Sequence, residues 1–152
     1  MPKIDLAKVG IHSGSGYPAP FQARCAGRHK QRLGNAGGLT QFGVNLTRID
    51  PGSQSALRHW HEEEDEFVYL LEDELVLIDD VGETLLRAGD AAVFPRGDGN
   101  GHHLVNRSDK VALYLEVGTR SPREQAHYPD DDLIVIRDAA GGRALHKSGL
   151  SY

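Results

Sequence analysis

Four side chains of the kinds that bind transition metals occur in the middle of the chain. His59 and His61 are separated by one residue, Glu66 follows in the same stretch, and His102 comes after a glycine-rich segment. Side chains at positions i and i+2 of a β-strand point to the same face, so the imidazoles of His59 and His61 converge on one point. Imidazoles combined with a carboxylate suit a divalent ion such as Fe, Mn, Ni, Co or Zn. These residues predict a site for one divalent transition metal.

The elements that must position these side chains are short strands. A strand over Ser55–His61 carries the two histidines, and Glu66 begins the next strand, so a hairpin between the two strands brings the carboxylate beside the imidazoles. A third imidazole comes from His102 or His103, which are neighbours on one strand and therefore face opposite sides. The residues alone leave that choice open.

The acidic turn before Glu66 offers other carboxylates. Glu64 or Asp65 replaces Glu66 as a ligand only if the register of the hairpin slips. The run from Glu62 to Asp65 is otherwise interpreted as a solvated turn and not as a second metal site.

Alternating apolar and polar residues predict many short strands along the chain. Phe42, Val44, Leu46 and Ile49 show this alternation in a strand that begins near Leu39. The other predicted strands are separated by turns rich in Gly and Asp, and besides Ser55–His61 they cover Glu66–Leu71, Glu74–Ile78, Glu83–Arg87, Ala91–Phe94, His102–Asn106, Val111–Val117 and Leu133–Ile136. Short strands at this spacing predict an all-β sandwich or closed barrel.

Composition excludes several classes of function. The 152 residues fit one domain, and Cys25 is the only cysteine, so an intrachain disulfide is excluded. No signal-peptide pattern opens the chain, and no stretch approaches the roughly 18 apolar residues of a membrane span, so a cytoplasmic protein without a membrane partner is expected. Because 17 basic residues face 22 acidic ones, nucleic acid is not expected as a partner, and a small-molecule substrate or ligand is.

The site residues fall within two motifs that resemble those of the cupin superfamily. In the first motif, Gly52, His59, His61 and Glu66 occur in the family's order, with one extra residue between Gly52 and His59. Asp73 stands where the family has a second glycine. Aspartate tolerates the left-handed turn conformation better than most residues, so this departure is mild.

The second motif follows later in the chain. Gly89, Pro95, Gly97, His102 and Asn106 match it, with two extra residues between Gly97 and His102 that lengthen a glycine-rich loop. The register of this motif selects His102 as the ligand and leaves His103 as the reserve. In this family Asn106 is a residue of the fold and not a ligand.

The resemblance, which covers roughly residues 39–118, implies a single cupin double-stranded β-helix, or jelly-roll barrel, with one divalent metal inside. The four implied ligands are His59, His61, Glu66 and His102. Residues 1–38 are expected to form an irregular N-terminal arm that packs on the barrel or a partner, residues 39–138 the barrel and residues 139–152 a C-terminal tail. Because cupins commonly dimerise through strands or arms, a homodimer is expected.

The implied function is that of a metal-binding cupin acting on a small polar molecule. Isomerisation of a sugar or sugar phosphate, lyase chemistry and Fe(II)-dependent dioxygenation are all compatible with the ligand set, because the fold does not choose among reactions. The alternative is a non-catalytic binding or sensor module that uses the metal to hold a ligand. Arg58, Arg96, Tyr114 and Glu116 are further candidates for substrate contact, but the parity of the strand Val111–Val117 is ambiguous.

Overall fold

The computed structural model describes residues 2–152, in which antiparallel β-strands dominate. The strands are β1 (Ile11–Ser13), β2 (Arg28–Arg32), β3 (Phe42–Ile49), β4 (Trp60–His61), β5 (Glu66–Glu72), β6 (Glu74–Ile78), β7 (Glu83–Arg87), β8 (Ala91–Phe94), β9 (His103–Val105), β10 (Ala112–Thr119), β11 (Glu124–His127), β12 (Ile134–Asp138) and β13 (Gly141–Leu145). Two one-turn α-helices, α1 (Ala19–Gln22) and α2 (Leu33–Ala36), and two 3-10 turns (Leu6–Lys8 and Ala23–Cys25) lie near the N-terminus. No helix among the described residues is long and apolar enough to cross a membrane.

The strands form three sheets. The largest has the order β1-β2-β3-β10-β5-β8, the second has the order β13-β12-β11-β4, and the third has the order β7-β6-β9. Backbone hydrogen bonds between His59 and His102 connect the segment before β4 to the segment before β9, so the second and third sheets meet at the candidate ligands. This arrangement is a cupin jelly roll, and the predicted all-β fold is confirmed.

The hydrophobic core has two parts. Between the six-stranded and three-stranded sheets, residues such as Ile49, Leu75 and Tyr114 are almost completely buried. A second cluster beneath the four-stranded sheet contains Leu57 and Leu133 and, from the N-terminal segment, Phe21. The polar site described below lies between these apolar clusters.

The register of β10 determines which of its side chains face inward. Tyr114 is opposite Leu70 of β5, and Glu116 is opposite Val68. Tyr114, Leu70 and Val68 are buried in the core, so Glu116 shares their face and points into the barrel. The parity that the sequence left ambiguous is thereby resolved.

Two turns contain residues of the family motifs. Asp73 departs from the family pattern, whereas Asn106 matches it. Asp73 has a φ of 64°, so it adopts the left-handed conformation expected for it, and its carboxylate accepts a hydrogen bond from the Ser108 hydroxyl at 2.7 Å. Asn106 is fully buried, and its amide donates to the carbonyls of Ile49 and Lys110 at 2.8 and 2.7 Å. Asn106 therefore fixes two chain segments, as expected of a residue of the fold.

Four segments differ from the sequence-based expectations, and one of them is β11, which no predicted strand covered. The strand predicted over Ser55–His61 is wrong in extent, because only β4 is a strand and the preceding residues form bends and an isolated bridge at His59. In the segment expected to be irregular, β2 pairs along β3 and so extends the main sheet. In the C-terminal segment, β13 pairs with β12.

The outer face of the main sheet is apolar in places. Phe67, Tyr69 and Leu71 of β5 are each more than a third exposed there. The homodimer expected from the sequence stays a prediction.

Candidate metal centre

The two histidines of the His-x-His pair reach the barrel interior from a short extended segment. His59 is held by paired backbone hydrogen bonds with His102, at 3.1 and 2.8 Å, and His61 lies in β4 against β11. Their imidazole centroids are 4.9 Å apart. Trp60, which lies between them in the sequence, points to the other side of the strand and stacks on His127. Although the strand is shorter than predicted, the alternation of side chains places both imidazoles on the inner side.

Glu66 lies at the centre of the cluster. Its carboxylate is 3.7 Å from Nε2 of His59, 3.2 Å from Nε2 of His61 and 2.6 Å from Nε2 of His102. One ligand atom from each of His59, His61 and Glu66 lies within 4.8 Å of the other two. His102 is not part of this set of three and joins it through its contact with Glu66, so the four residues predicted as ligands lie around one carboxylate.

The donor set fits a divalent metal. Ligand atoms bound to such an ion at about 2.0 to 2.2 Å lie about 3 to 3.5 Å apart, close to the separations around Glu66. Three Nε2 atoms facing one carboxylate need either protons or a cation between them, and imidazole nitrogen and carboxylate oxygen are both ligands for first-row metals.

The orientation of each imidazole is set by its surroundings. Nδ1 of His59 donates to the Leu57 carbonyl at 2.7 Å, which leaves Nε2 as the nitrogen that faces Glu66. Nδ1 of His61 is buried without a hydrogen bond, but a carboxylate oxygen of Glu124 lies 3.4 Å away. A carboxylate behind a ligating histidine raises its basicity, which is the role Glu124 would have in a metal centre.

Burial and neighbouring charges shift the pKa values of the cluster. Burial lowers the pKa of His59 despite the nearby Glu66. At His61 burial also lowers the pKa, but the Glu66 and Glu124 carboxylates outweigh it, so the pKa is raised. Burial would raise the pKa of Glu66, but the hydrogen bond with His102 and the nearby imidazoles of His59 and His61 hold it well below its usual value. Glu66 is therefore ionised at neutral pH, as a ligand must be.

His103 takes a different position from His102. Its Nδ1 lies 2.9 Å from the Ala56 carbonyl, whereas it is Nε2 of His102 that lies 2.6 Å from the Glu66 carboxylate. The structure thus brings His102 to the cluster, as the motif register predicts, while His103 sits at the neighbouring cavity wall.

The acidic turn before β5 is tied down by polar partners. Glu62 pairs with His127 at 2.7 Å, and Glu64 pairs with Arg137 and accepts from the Ser121 backbone. Glu64, Glu124 and His61 also come close enough together to be considered as a second ligand set. Glu64 is neutralised by Arg137, and Glu124 accepts two backbone N–H groups at 3.0 and 3.1 Å. We therefore interpret Glu64 and Glu124 as residues that hold His61 in place and not as ligands of a second metal.

A cavity of about 440 Å³ opens beside the cluster. On its wall the Glu116 carboxylate meets Nζ of Lys30 at 2.5 Å, Nδ2 of Asn45 at 3.0 Å and the Tyr114 hydroxyl at 3.2 Å. Burial would raise the pKa of Glu116, but Lys30 and Asn45 lower it overall. The cavity therefore contains an ionised pair in addition to the candidate metal-binding cluster.

Two of the four further candidates for substrate contact line this cavity, and two do not. Tyr114 and Glu116 face it, whereas Arg58 pairs with Asp130 at 2.8 Å and Arg96 pairs with Glu63 at the surface. Sequence reasoning missed Lys30 and Glu124. Both lie in polar strands without apolar alternation, so no periodic signal marked them.

The fold and the cluster together define a cupin, and comparison with known proteins agrees. A family model described as "Cupin domain" matches residues 45–118. The chain also shares 51% identity with a crystal structure described as a sugar phosphate isomerase from a cupin superfamily, from Silicibacter pomeroyi; the match covers 99% of this chain and 96% of that one, with a TM-score of 0.96. The chain belongs to the cupin superfamily.

Two more distant structures share the fold. A putative sugar phosphate isomerase from Acidithiobacillus ferrooxidans is 26% identical, with a TM-score of 0.75 over 82% of this chain and 80% of that one. A polyketide cyclase from Streptomyces resistomycificus is 20% identical, with a TM-score of 0.61 over 78% of this chain and 79% of that one. The latter likeness concerns the fold alone. A search of curated proteins returns no match.

Proposed function

We propose that this protein is a metal-dependent isomerase that interconverts the aldose and ketose forms of a phosphorylated sugar. The observation that carries the proposal is the convergence of three imidazoles and one carboxylate in a cavity whose own charge is positive. The similarity to the Silicibacter pomeroyi protein, over nearly the whole of both chains, supports the same reaction class.

The proposed ligands are His59, His61, Glu66 and His102. A single divalent ion on these residues leaves up to two coordination positions for an oxygen-rich ligand. When bound, the metal polarises a carbonyl or acidifies a hydroxyl of the open-chain sugar. Aldose–ketose interconversion moves hydrogen between adjacent carbons and needs no external oxidant, so the site requires no second cofactor.

The cavity charge favours an anionic substrate. Five basic side chains and three carboxylates line it, which gives a formal charge of +2 with the histidines neutral, although the whole chain carries −5. The five are Arg28, Lys30, Arg32, Arg120 and Arg137. A locally positive, low-dielectric cleft concentrates anions such as phosphate esters.

The inner wall beside the ligands binds the sugar hydroxyls. Tyr114, Asn45 and Lys30 present a hydroxyl, an amide and an ammonium group around Glu116, so they both donate and accept hydrogen bonds. Glu116 lies diagonally from Glu66 across β10 and β5, since it is opposite Val68, two residues along the strand. Such diagonal neighbours lie about 7 to 8 Å apart, which places the wall within reach of a ligand held at the cluster.

The experiment is an isomerase screen with defined metal content. Metal-stripped protein is reloaded separately with Mn, Fe, Co, Ni or Zn and incubated with aldose and ketose phosphates of three to seven carbons, and interconversion is followed by NMR. We expect one pair of phosphorylated sugars to interconvert, with little turnover of the unphosphorylated sugars.

The matched control for the screen is the double variant His59→Ala plus His61→Ala, which should bind no metal and convert nothing. Equal turnover by this variant would place the activity elsewhere. Metal binding without interconversion of any sugar phosphate would overturn the isomerase assignment and favour a ligand-binding module.

A further inference from the structure

We infer that Arg32 and Arg120 form a phosphate-binding site at the mouth of the cavity, joined to the metal centre by a floor of two glycines. The inference deepens the proposed function, since it assigns the phosphoryl group of the substrate to named residues. It rests on charge compensation, strand register and the backbone of the two glycines.

Charge compensation singles out these two arginines among the cavity's basic residues. Lys30 is paired with Glu116 at 2.5 Å, and Arg137 is paired with Glu64. The guanidinium of Arg28 donates hydrogen bonds to backbone carbonyl oxygens, and its Nη1 donates to that of Ser55 at 2.6 Å. Arg32 and Arg120 make no ion pair with a carboxylate anywhere in residues 2–152.

Arg120 is held in place without being neutralised. Its Nη1 donates to the Leu39 carbonyl at 3.0 Å, and its Nη2 donates to the Asn35 side-chain oxygen. Both acceptors are uncharged, so the guanidinium keeps its full charge while its position is fixed. A fixed, uncompensated guanidinium suits the planar, bidentate recognition of a phosphate.

The strand register links this guanidinium to the metal-binding cluster. Glu66 of β5 is opposite Gly118 of β10, and Gly118 is opposite Gly43 of β3. A Cβ built on Gly43 would lie 3.7 Å from Nε of Arg120, so the guanidinium sits beside Gly43. Two strand spacings then separate it from the Glu66 backbone, or roughly 10 Å.

Gly43 and Gly118 lie between the Arg120 guanidinium and Glu66. Neither Gly43 nor Gly118 has a φ in the left-handed region, so the backbone does not demand glycine at either position. A Cβ on Gly118 would face Cγ of Glu66 at 3.8 Å and so would occupy the surface beside the cluster. Without side chains at these two positions, bare backbone connects the Glu66 side to the Arg120 side, and an extended sugar can lie along it from the metal to the arginines.

Arg32 completes the site from the neighbouring strand. It lies opposite Asn45, two residues along β3 from Gly43, and its side chain lines the same cavity. Arg32 and Arg120 therefore approach the glycine floor from β2 and from the end of β10.

The test is a titration of metal-stripped protein with inorganic phosphate, followed by calorimetry, so that no metal–phosphate contact contributes. We expect saturable binding by the wild-type chain and at least about 10-fold weaker binding by Arg120→Gln and by Arg32→Gln. Arg87→Gln is the matched control, because Arg87 is exposed on β7 away from the cavity, and it should bind as the wild type does.

Absence of saturable binding in the wild type, or equal affinity in the wild type and both arginine variants, would overturn the site. The titration requires no turnover, so its result is separable from the proposed function. A protein that binds phosphate through the arginines and isomerises no sugar overturns the isomerase alone.

If an active sugar phosphate is found, Arg120→Gln should raise its KM by a larger factor than it lowers kcat. A purely structural role for Arg120 would instead lower kcat at least as much as it raises KM.

Discussion

The ring of Phe94 lies parallel to the imidazole of His102, with 3.6 Å between their centroids. Phe94 is the last residue of β8 and is more than nine-tenths buried, so it fixes the ring plane of His102 from the core side. Hydrogen-bonded partners behind a metal ligand typically change metal affinity by 10- to 100-fold when altered, and a stacked ring that orients the ligand should have an effect at the lower end of that range.

Phe94→Leu should therefore weaken metal binding by about 10-fold while the fold is retained. The measurement is competition with a chromophoric chelator, and Phe42→Leu, an exposed position on β3, is the control. Identical affinities for the two variants would show that the stacked ring does not support His102.

His102 and His103 should differ sharply in their effect on metal content. His102→Ala removes an imidazole 2.6 Å from Glu66 and should abolish stoichiometric metal binding, whereas His103→Ala removes a ring bonded to the Ala56 carbonyl and should retain it. Elemental analysis of the two purified variants makes the comparison. The reverse result would assign the ligand role to His103.

The Lys30–Glu116 pair should make stability depend on pH. The pKa of Glu116 is lowered in the folded protein, so its contribution is present above the unfolded value near 4.5 and is lost as the pH falls through the folded value. Glu116→Gln leaves Lys30 unpaired and should cost about 3 kcal/mol at pH 7.

Urea unfolding of the wild type and Glu116→Gln at pH 7 and at pH 3 tests this. The difference between them should shrink at the lower pH, and adding Lys30→Met to the variant should recover much of the loss at pH 7. A difference that does not depend on pH would mean that the ion pair does not contribute.

Removal of the Asn106 amide should destabilise the fold without altering the proposed metal ligands. Asn106→Ala leaves the Ile49 and Lys110 carbonyls without a partner in a buried turn and should cost about 3 kcal/mol. Asn100→Ala, in the loop before His102, should cost about 1 kcal/mol or less. Thermal unfolding of both metal-stripped variants provides the measurement, and similar losses would contradict the role assigned to Asn106.

The sequence predicted the strands whose inner faces are apolar. The bounds predicted for Glu74–Ile78, Glu83–Arg87 and Ala91–Phe94 are those of β6, β7 and β8. Hydrophobic alternation marks such strands because one face packs on the core. Hydrophobic alternation did not mark β2, because Lys30 and its inward neighbours line a polar cavity and both faces of that strand are therefore polar.

The clustering of the four proposed ligands was predictable from the sequence, whereas the surroundings of the candidate site were not. His59 and His61 need only local alternation to point the same way, and the motif register selected His102 over His103. Glu124 and Glu116 reach the site from strands far along the chain, and their roles depend on register and burial that no local pattern encodes. The bends at Ser55–Arg58 could not be predicted, because alternating residues occur in extended loops as well as in strands.

The opposite signs of the cavity and of the whole chain have a consequence for the speed of substrate capture. A phosphorylated sugar far from the protein meets a net charge of −5 and is repelled, whereas near the mouth it meets the positive cavity. Salt screens the distant repulsion over about 10 Å at 0.1 M, and it weakens the attraction at close range less. The association rate should accordingly stay level or rise as the ionic strength increases, unlike that of an enzyme whose whole surface attracts its substrate.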